Sequence, residues 1–525
     1  MTADKTLPNT YAFNDSLLRL VKGTGLVIIG SVLIHLFGLI SGVLIARNWT
    51  ESHVGIFSLA YSIFNICLII SALGMNIGVV RCIAHSRGRK EFNKISDFIV
   101  TSVFYSVLTS IILGLILFLF SEIIAENIFH EVSLALPLKI FAIALPIFTL
   151  NIKIVNIFRG FENLKPMVYF KFILESALIT ISIVGIVLFN ISFIYVFYVY
   201  VISGAIITII LIIYISRQSL SLTKFSLTSV FSPAAKELIL FSLPLLVTAI
   251  FELIIFWNGT LMLGSFKSTA DVGFYHVARP LATFICFPLV ALAIIHVPIF
   301  SGLYAKGRLK EMKSNYTILT KWICLVTLPI FIIFFLFPES TLSVLVGSNY
   351  LPSAYALRIL SLAFIIRNFA GPVSSTLVAL GRSRFIMFSA LSSAVLNIIL
   401  NVLLIPSYSF IGVAIAAGVT YVFIVIIQTW KMYSLSKISP ISLNLIKPTI
   451  FSIILIVPIY FFFKQFLTIN WWTLIILFIL FYGIYILSVL FTKSLDTEDL
   501  KMLQAIERKT GIKTPRIKKF LNKFL

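Results

Sequence analysis

Five cationic side chains lie inside long apolar stretches of the sequence, where a charge needs a partner. They are Lys139, Lys153, Arg279, Arg358 and Arg367, and the acidic residues in comparable stretches are Glu175 and Glu252. A cation in hydrocarbon costs roughly 2.5–3.5 kcal/mol at a helix centre, so such residues usually face a polar cavity or a counter-charge. Arginine also presents a planar fork that binds phosphate oxygens. An excess of cations would make physical sense in a cavity that receives a phosphate.

Arg279 and Arg367 are the strongest candidates for contact with that group. Arg279 is about 9 Å into its stretch at 1.5 Å per residue, and Pro280 beside it disturbs the helix. Arg367 lies near the middle of its stretch, just before a Gly-Pro pair that would kink the helix. Lys139 and Arg358 lie nearer an end, so they could bind cargo or extend toward the water.

The remaining charges leave two interpretations open. Lys153 and Glu175 lie at similar depth on consecutive helices, which predicts a salt bridge; alternatively, Lys153 continues a cationic stripe with Lys139. Glu252 and His35 occupy corresponding positions of two stretches, and they or Glu175 could carry a coupling proton or help to bind Na⁺. The alternative for Glu252 and His35 is a hydrogen bond between helices. We predict no metal site and no cofactor, because no histidine has partners at metal-ligand spacing.

The composition requires that a membrane surround these residues. Of the 525 residues, 60% are hydrophobic and 11% charged, and the mean hydropathy is +1.08. A soluble protein of this size needs far more polar surface. The apolar stretches are long enough to cross a bilayer of about 30 Å as helices. We therefore predict an all-α polytopic membrane protein.

About fourteen transmembrane helices follow from these stretches, arranged as six, six and two. We expect a cytoplasmic N-terminus (1–23), a six-helix bundle (24–215), a linker (216–237), a second six-helix bundle (238–430), two additional helices (449–491) and a basic cytoplasmic tail (492–525). The tail could form an amphipathic helix on the inner leaflet or be solvated.

The cations between the stretches predict the orientation. With a cytoplasmic N-terminus, 33 Lys and Arg residues fall in inner segments and three in outer loops. Positive charge accumulates on the cytoplasmic side of membrane proteins. Both termini are therefore predicted to be cytoplasmic, and the net charge of +22 reflects membrane orientation, so no nucleic-acid partner is expected.

The two bundles are predicted to be copies of one unit. Gly55 aligns with Gly273 at an offset of 218, Lys139 with Arg358 at 219, and Gly160 with Gly381 at 221. An even number of helices per copy gives both copies the same orientation, which makes this a parallel repeat. The same alignment places Tyr61 opposite Arg279.

The repeated hairpin carries a family resemblance. The segments LIARNWTESHVGIFSLAYSIF, LGMNIGVVR, DVGFYHVARPL and NVLLIPSYSFIGVAIAAGV resemble motifs of the polysaccharide-flippase branch of the multidrug/oligosaccharidyl-lipid/polysaccharide (MOP) exporter superfamily. Ser409 departs from the pattern, since the family often has glycine there. The resemblance implies two six-helix bundles in a V around a cavity that opens alternately to either side. It also implies a lipid-linked (polyisoprenyl phosphate or pyrophosphate) oligosaccharide as cargo.

Three functional classes compete at this point. A flippase would move its cargo to the outer leaflet of the cell membrane for surface polysaccharide or glycan synthesis. It would act as a monomer among membrane lipids, beside glycosyltransferases or a polymerase of the same pathway. A cation-coupled multidrug antiporter of the superfamily would favour an acid-rich cavity. A membrane-embedded enzyme would need a sizeable loop or a cluster of acids and histidine, and the sequence shows neither.

Overall fold

The computed structural model describes residues 9–217, 227–305, 307–440, 442–466 and 470–494, and this part of the chain is almost entirely helical, with no strand. Its α-helices are α1 (Asn9–Asn48), α2 (Glu51–Ser71), α3 (Met75–Gly88), α4 (Phe92–Leu119), α5 (Ser121–Ile123), α6 (Ala135–Gly160), α7 (Glu175–Leu188), α8 (Tyr195–Arg217), α9 (Pro233–Phe266), α10 (Thr269–Phe284), α11 (Phe287–Ala305), α12 (Leu309–Leu336), α13 (Pro338–Leu345), α14 (Ala354–Phe369), α15 (Val373–Ala379), α16 (Ser383–Ser436), α17 (Leu443–Phe466) and α18 (Trp471–Phe491). Short 3-10 segments (Val132–Leu134, Leu227–Phe231, Ser348–Ser353) and π-helical segments (Ile124–Ile128, Met167–Leu174) connect or extend them. The tail beyond residue 494, including its predicted amphipathic helix, lies outside the described residues.

Twelve helical segments within these ranges are long and apolar enough to cross a membrane. The all-α polytopic prediction is thereby confirmed, whereas the count of fourteen stays a prediction. The difference arises at two places. The fourteen include one predicted span at about 273–299, which the structure divides between α10 and α11. They also include two at about 386–405 and 410–430, which are both contained in α16.

Helix α16 is bent back on itself at Ser409. This residue has φ 48° and ψ −132°, a conformation outside the helical region. The Asn397 amide donates to the Thr420 hydroxyl at 3.3 Å, whereas 23 residues of straight helix would separate the two by about 34 Å. The two legs of α16 are therefore packed against each other. The left-handed φ explains why glycine suits this position, where the present sequence has serine.

Two other spans are interrupted rather than reversed. Between α2 and α3, Leu73 and Gly74 take positive φ values of 51° and 69°. Between α10 and α11, Ile285 and Cys286 form a turn. Interruptions of this kind leave backbone carbonyls without a helical partner, and in a membrane those carbonyls must be satisfied by other groups.

The chain divides into two compact units, residues 1–276 and 277–525. In the first unit, an apolar cluster that includes Val79, Ile83 and Phe98 joins α3, α4 and α9, and a second cluster joins α6 to α8. In the second unit, a cluster around Tyr316, Val373 and Met432 joins α11, α12, α15 and α16. The predicted bundle boundaries at 24–215 and 238–430 stay predictions.

Candidate functional site

Lys139 and Arg358 each form an ion pair at an end of a span. The Lys139 ammonium lies 2.6 Å from Glu122, and the Arg358 guanidinium lies 3.1 Å from Glu339 and also donates to the Phe335 carbonyl at 3.0 Å. Both cations are about one-third exposed. This geometry favours side chains that extend toward the water at the membrane edge. Contact with cargo stays a prediction for these two residues.

The glutamates of these ion pairs belong to a repeat that the sequence analysis missed. The segment FLFSE ends at Glu122 and FLFPE ends at Glu339, at an offset of 217. The same three aromatic and aliphatic residues precede the acid in both copies. A search for the counter-charges of Lys139 and Arg358 at the repeat spacing could have found them.

Lys153 is fully buried, and its partner is a backbone carbonyl. Its ammonium donates to the Ala72 carbonyl at 3.0 Å, at the interruption between α2 and α3. The predicted salt bridge with Glu175 is wrong, because Glu175 pairs with Lys171 instead. Sequence depth placed Lys153 and Glu175 at the same level, but it could not show which side of each helix faced the other.

Glu175 and Lys171 form a buried ion pair in the first unit. The Lys171 ammonium lies 2.5 Å from Glu175 Oε1 and 4.8 Å from the centre of the Phe148 ring, and its side chain is 21% exposed. Glu175 is buried, and its second oxygen, Oε2, has no hydrogen-bond partner within the described part of the chain. Lys171 lies in the π-helical segment before α7, a kind of irregularity that is frequent at functional sites.

Aromatic rings cluster in the interior of the first unit. Tyr61 on α2 stacks on Phe57 with centroids 5.6 Å apart, and its ring is 5.8 Å from Tyr200 and 6.1 Å from Trp257. These rings come from α2, α8 and α9. Tyr and Trp combine an apolar ring with a polar tip, so such a cluster suits a partly wet interior surface.

Arg367 is an intramembrane cation that lies over an aromatic ring and has no carboxylate partner among the described residues. It lies half-buried in the last turn of α14, and its guanidinium carbon is 5.6 Å from the centre of the Tyr421 ring on α16. Across the described residues it forms no ion pair and no hydrogen bond. A guanidinium held this way keeps its five donors available for an anion.

Arg279 lies on α10 and is 9% exposed. Pro280 follows it inside the helix, as the sequence analysis noted, and α10 ends shortly afterwards at Phe284. Arg279 and Arg367 both belong to the second unit.

Glu252 and His35 both have exposed side chains. Glu252 lies near the middle of α9, and it has no ion pair or hydrogen bond with any described residue. His35 lies on α1. A carboxylate at mid-helix in a membrane protein usually faces a polar cavity, because lipid would strongly disfavour its charge.

Sequence reasoning also missed a polar cluster in the second unit. The Asn401 amide donates to Asn397 Oδ1 at 2.9 Å, and Asn397 in turn donates to Thr420. All three residues are buried, and Asn401 Oδ1 has no partner among the described residues. The spacing Asn-x3-Asn was visible in the sequence, but Thr420 joins it only through the reversal at Ser409.

The comparisons with known proteins agree with this architecture. The model of the family described as polysaccharide biosynthesis protein matches residues 20–304, more than half of the chain, and the MatE model matches residues 244–403. An uncharacterised membrane protein of Methanocaldococcus jannaschii is 23% identical over 87% of this chain and 92% of its own length. Stage V sporulation protein B of Bacillus subtilis is 21% identical over 81% and 85%. The probable low-salt glycan biosynthesis flippase Agl15 of Haloferax volcanii is 25% identical over 31% and 35%.

Solved structures share the fold at low sequence identity. The lipid II flippase MurJ in an inward closed conformation is 15% identical, with a TM-score of 0.66 over 87% of this chain and 97% of that protein. An inward-facing multidrug resistance MATE family transporter of the MOP superfamily is also 15% identical, with a TM-score of 0.64 over 78% and 99%. The many apolar helices of this chain make it a multi-pass membrane protein. The chain thus belongs to the polysaccharide biosynthesis protein family, and it is a transporter of the MOP superfamily rather than an enzyme.

Proposed function

We propose that this protein is an alternating-access flippase that moves a lipid-linked oligosaccharide from the cytoplasmic to the outer leaflet. The carrier would be a polyisoprenyl phosphate or pyrophosphate, and the oligosaccharide would serve surface polysaccharide or glycan synthesis. Relatives described as a lipid II flippase and a probable glycan biosynthesis flippase support this cargo class.

The observation that carries the proposal is the available guanidinium of Arg367. A charged arginine inside a membrane-spanning helix is retained only if something compensates for its desolvation. Its described surroundings supply a tyrosine ring and no carboxylate. A cargo phosphate would provide the missing negative charge and accept two parallel hydrogen bonds from the guanidinium. Arg279, buried on α10 of the same unit, is the second proposed phosphate contact.

Replacing Arg367 by glutamine tests this role. A charge-assisted hydrogen bond contributes about 1.5–3 kcal/mol, so Arg367→Gln should slow translocation about tenfold to a hundredfold. Arg367→Lys keeps the charge without the fork and should retain intermediate activity. The assay is the accumulation of the lipid-linked oligosaccharide on the cytoplasmic leaflet, together with the yield of surface glycan.

Arg384→Gln is the matched control, because Arg384 is exposed at the start of α16 and outside the apolar stretches. Its translocation rate should equal that of the unmodified protein. Normal surface glycan in both Arg367→Gln and Arg279→Gln would overturn the proposed phosphate contact.

A cation-coupled multidrug antiporter is the second candidate, and Glu252 is the observation in its favour. An exposed carboxylate at mid-helix could bind an organic cation. Both family matches cover this residue, so they do not distinguish the two functions. Efflux of a fluorescent cation from vesicles, lost in Glu252→Gln, would support it. No efflux by the unmodified protein, alongside normal glycan transfer, would favour the flippase.

We further propose that transport is coupled to Na⁺ or H⁺. Glu252, His35 and Glu175 are the candidate groups, although Glu175 would first have to separate from Lys171. The proposed location is the cell membrane, with both termini cytoplasmic. The proposed partners are membrane lipids and the glycosyltransferases or polymerase of the same pathway, around a monomeric transporter.

A further inference from the structure

The second span of each repeat is interrupted, and a buried side chain from the fourth span donates a hydrogen bond to a backbone carbonyl at the interruption. In the first repeat, Lys153 on α6 donates to the Ala72 carbonyl at 3.0 Å, where α2 ends. In the second, the Asn368 amide on α14 donates to the Ile285 carbonyl at 2.8 Å, where α10 ends. Lys153 and Asn368 are both completely buried. The Ala72 carbonyl also accepts from the Met75 backbone N–H at 2.9 Å and from the Ser106 hydroxyl at 3.5 Å. Each repeat thus has a joint where a buried side chain of the fourth span donates to a backbone carbonyl of the second.

On the α2 side of the first joint, the backbones of α2 and α10 are in very close contact through glycines. A Cβ on Gly55 of α2 would lie 1.7 Å from the Thr269 carbonyl oxygen, and a Cβ on Gly273 of α10 would lie 2.1 Å from the Glu51 carbonyl oxygen. Thr269 and Gly273 follow Glu51 and Gly55 by the same offset of 218. The contact is therefore symmetric with respect to the repeat, and all four residues belong to the first unit. The distribution of Lys and Arg between the apolar stretches predicts that this end of the helices lies at the outer face.

The other side of the joint has a contact of its own. A Cβ on Gly74 would lie 2.2 Å from the Ser242 carbonyl oxygen, and a Cβ on Gly78 of α3 would lie 2.2 Å from the Ser242 hydroxyl on α9. The Arg81 guanidinium lies over the Phe241 ring at 4.0 Å. These residues precede the basic segment that is predicted to lie in the cytoplasm from the distribution of Lys and Arg.

We propose that the α2–α3 span is a jointed gate whose two segments close opposite faces of the transporter and move separately. Segment α2 closes the outer face through Gly55 and Gly273, and segment α3 closes the inner face through Gly74, Gly78 and Ser242. The joint at Ala72–Gly74, held by Lys153, lets one contact open while the other stays closed. The proposal rests on the alternating-access part of the proposed function and not on the identity of the cargo.

Alanine at Gly55 tests the outer contact with the smallest change. A methyl group cannot fit 1.7 Å from a backbone oxygen, whereas alanine favours the helix itself by about 0.5–1 kcal/mol over glycine. Valine at Gly78 tests the inner contact, because the Ser242 hydroxyl could rotate away from a single methyl group. Gly185 on α7 has open space around it, so Gly185→Ala and Gly185→Val are the matched controls.

Two cysteine reporters read the segments separately, in protein whose four native cysteines are replaced by alanine. Asn65→Cys reports on α2, one turn from Tyr61 and on the face directed at Trp257 of α9. Val80→Cys reports on α3. The measurement is the rate of alkylation by a membrane-impermeant maleimide supplied from one side of sealed vesicles, without cargo.

Gly55→Ala should raise outside labelling of the residue 65 reporter about tenfold, a shift of about 1.4 kcal/mol toward the open state, and should leave the residue 80 reporter unchanged. Gly78→Val should raise inside labelling of the residue 80 reporter and leave the residue 65 reporter unchanged. If either variant changes both reporters together, the span moves as one rigid rod and the jointed gate is wrong. If neither variant exceeds its Gly185 control, the glycine contacts do not close the transporter. Because no cargo is present, failure of the flippase assignment would not alter these rates.

Discussion

The two joints differ in the chemistry of the side chain that holds them. In the first repeat an ammonium group, Lys153, donates to the carbonyl at the interruption, and in the second a neutral amide, Asn368, does so. Both groups are buried and both come from the fourth span of their repeat. Burial disfavours the ammonium strongly and the amide weakly. The two joints lie at offsets of 213 (Ala72 to Ile285) and 215 (Lys153 to Asn368), short of the 217–221 that relate the other repeat positions, so they are similar contacts at positions that the repeat does not align. In the second unit a charge, Arg367, lies next to the amide that makes the contact.

The largest expected effect comes from placing an ammonium group, as in the first joint, at the amide position of the second joint. Asn368→Lys places an ammonium in a fully buried site built for an amide, where an uncompensated charge typically costs about 3–5 kcal/mol. Folded protein should be recovered in much lower yield, measured by size-exclusion chromatography in detergent. Lys153→Met is the comparison, and it should fold normally because it removes a buried charge at similar volume while the Ala72 carbonyl keeps its bond from the Met75 backbone N–H. Equal recovery of Asn368→Lys and Lys153→Met would show that the two joints are not chemically distinct.

The buried ion pair of the first unit provides the next effect. Lys171→Met leaves the Glu175 carboxylate buried beside an apolar side chain, at a cost of about 3 kcal/mol or more if the carboxylate stays charged. The melting temperature in detergent should fall, and the double variant Lys171→Met/Glu175→Gln should recover most of the loss. A double variant no more stable than Lys171→Met alone would mean that the two residues do not compensate each other. Arg367→Gln, which removes a cation with no described carboxylate partner, should by contrast lose transport and keep its melting temperature.

The smallest effect on stability is expected from the ion pair that occurs at corresponding positions of both repeats. Lys139–Glu122 and Arg358–Glu339 are partly exposed pairs, and such pairs contribute little to stability. Glu122→Gln and Glu339→Gln should therefore produce similar, small falls in melting temperature and leave transport unchanged. A large loss of transport in only one of them would assign that cation to the cargo after all.

The first of these pairs also predicts a pH dependence. The hydrogen bond from Lys139, with its positive charge, lowers the pKa of the Glu122 carboxyl below its usual value. Its contribution to stability is therefore present above the ordinary carboxyl pKa and is lost as the pH falls through the lowered value. The melting temperatures of the unmodified protein and Glu122→Gln should converge in acid. A difference that persists unchanged at low pH would contradict this.

Much of the architecture was predictable because hydrophobic length and loop charge are local properties. The apolar stretches predicted the all-α membrane fold, which the structure and the family match confirm. The offset of 218 that joined Gly55 to Gly273 returns as a symmetric backbone contact. The count of fourteen stays a prediction, because a turn at Ile285–Cys286 and a reversal at Ser409 change how helices are divided without changing hydropathy.

The candidate site was predictable in its residue types and not in its partners. The sequence by itself determined that cations outnumber acids within the membrane, and it placed each at a depth. Only the tertiary structure decided that Lys153 holds a joint, that Glu175 pairs with Lys171, and that Arg367 meets a tyrosine ring. The physical reason is rotational: depth along a helix follows from counting residues, whereas the side of the helix that meets a given neighbour depends on how whole helices pack.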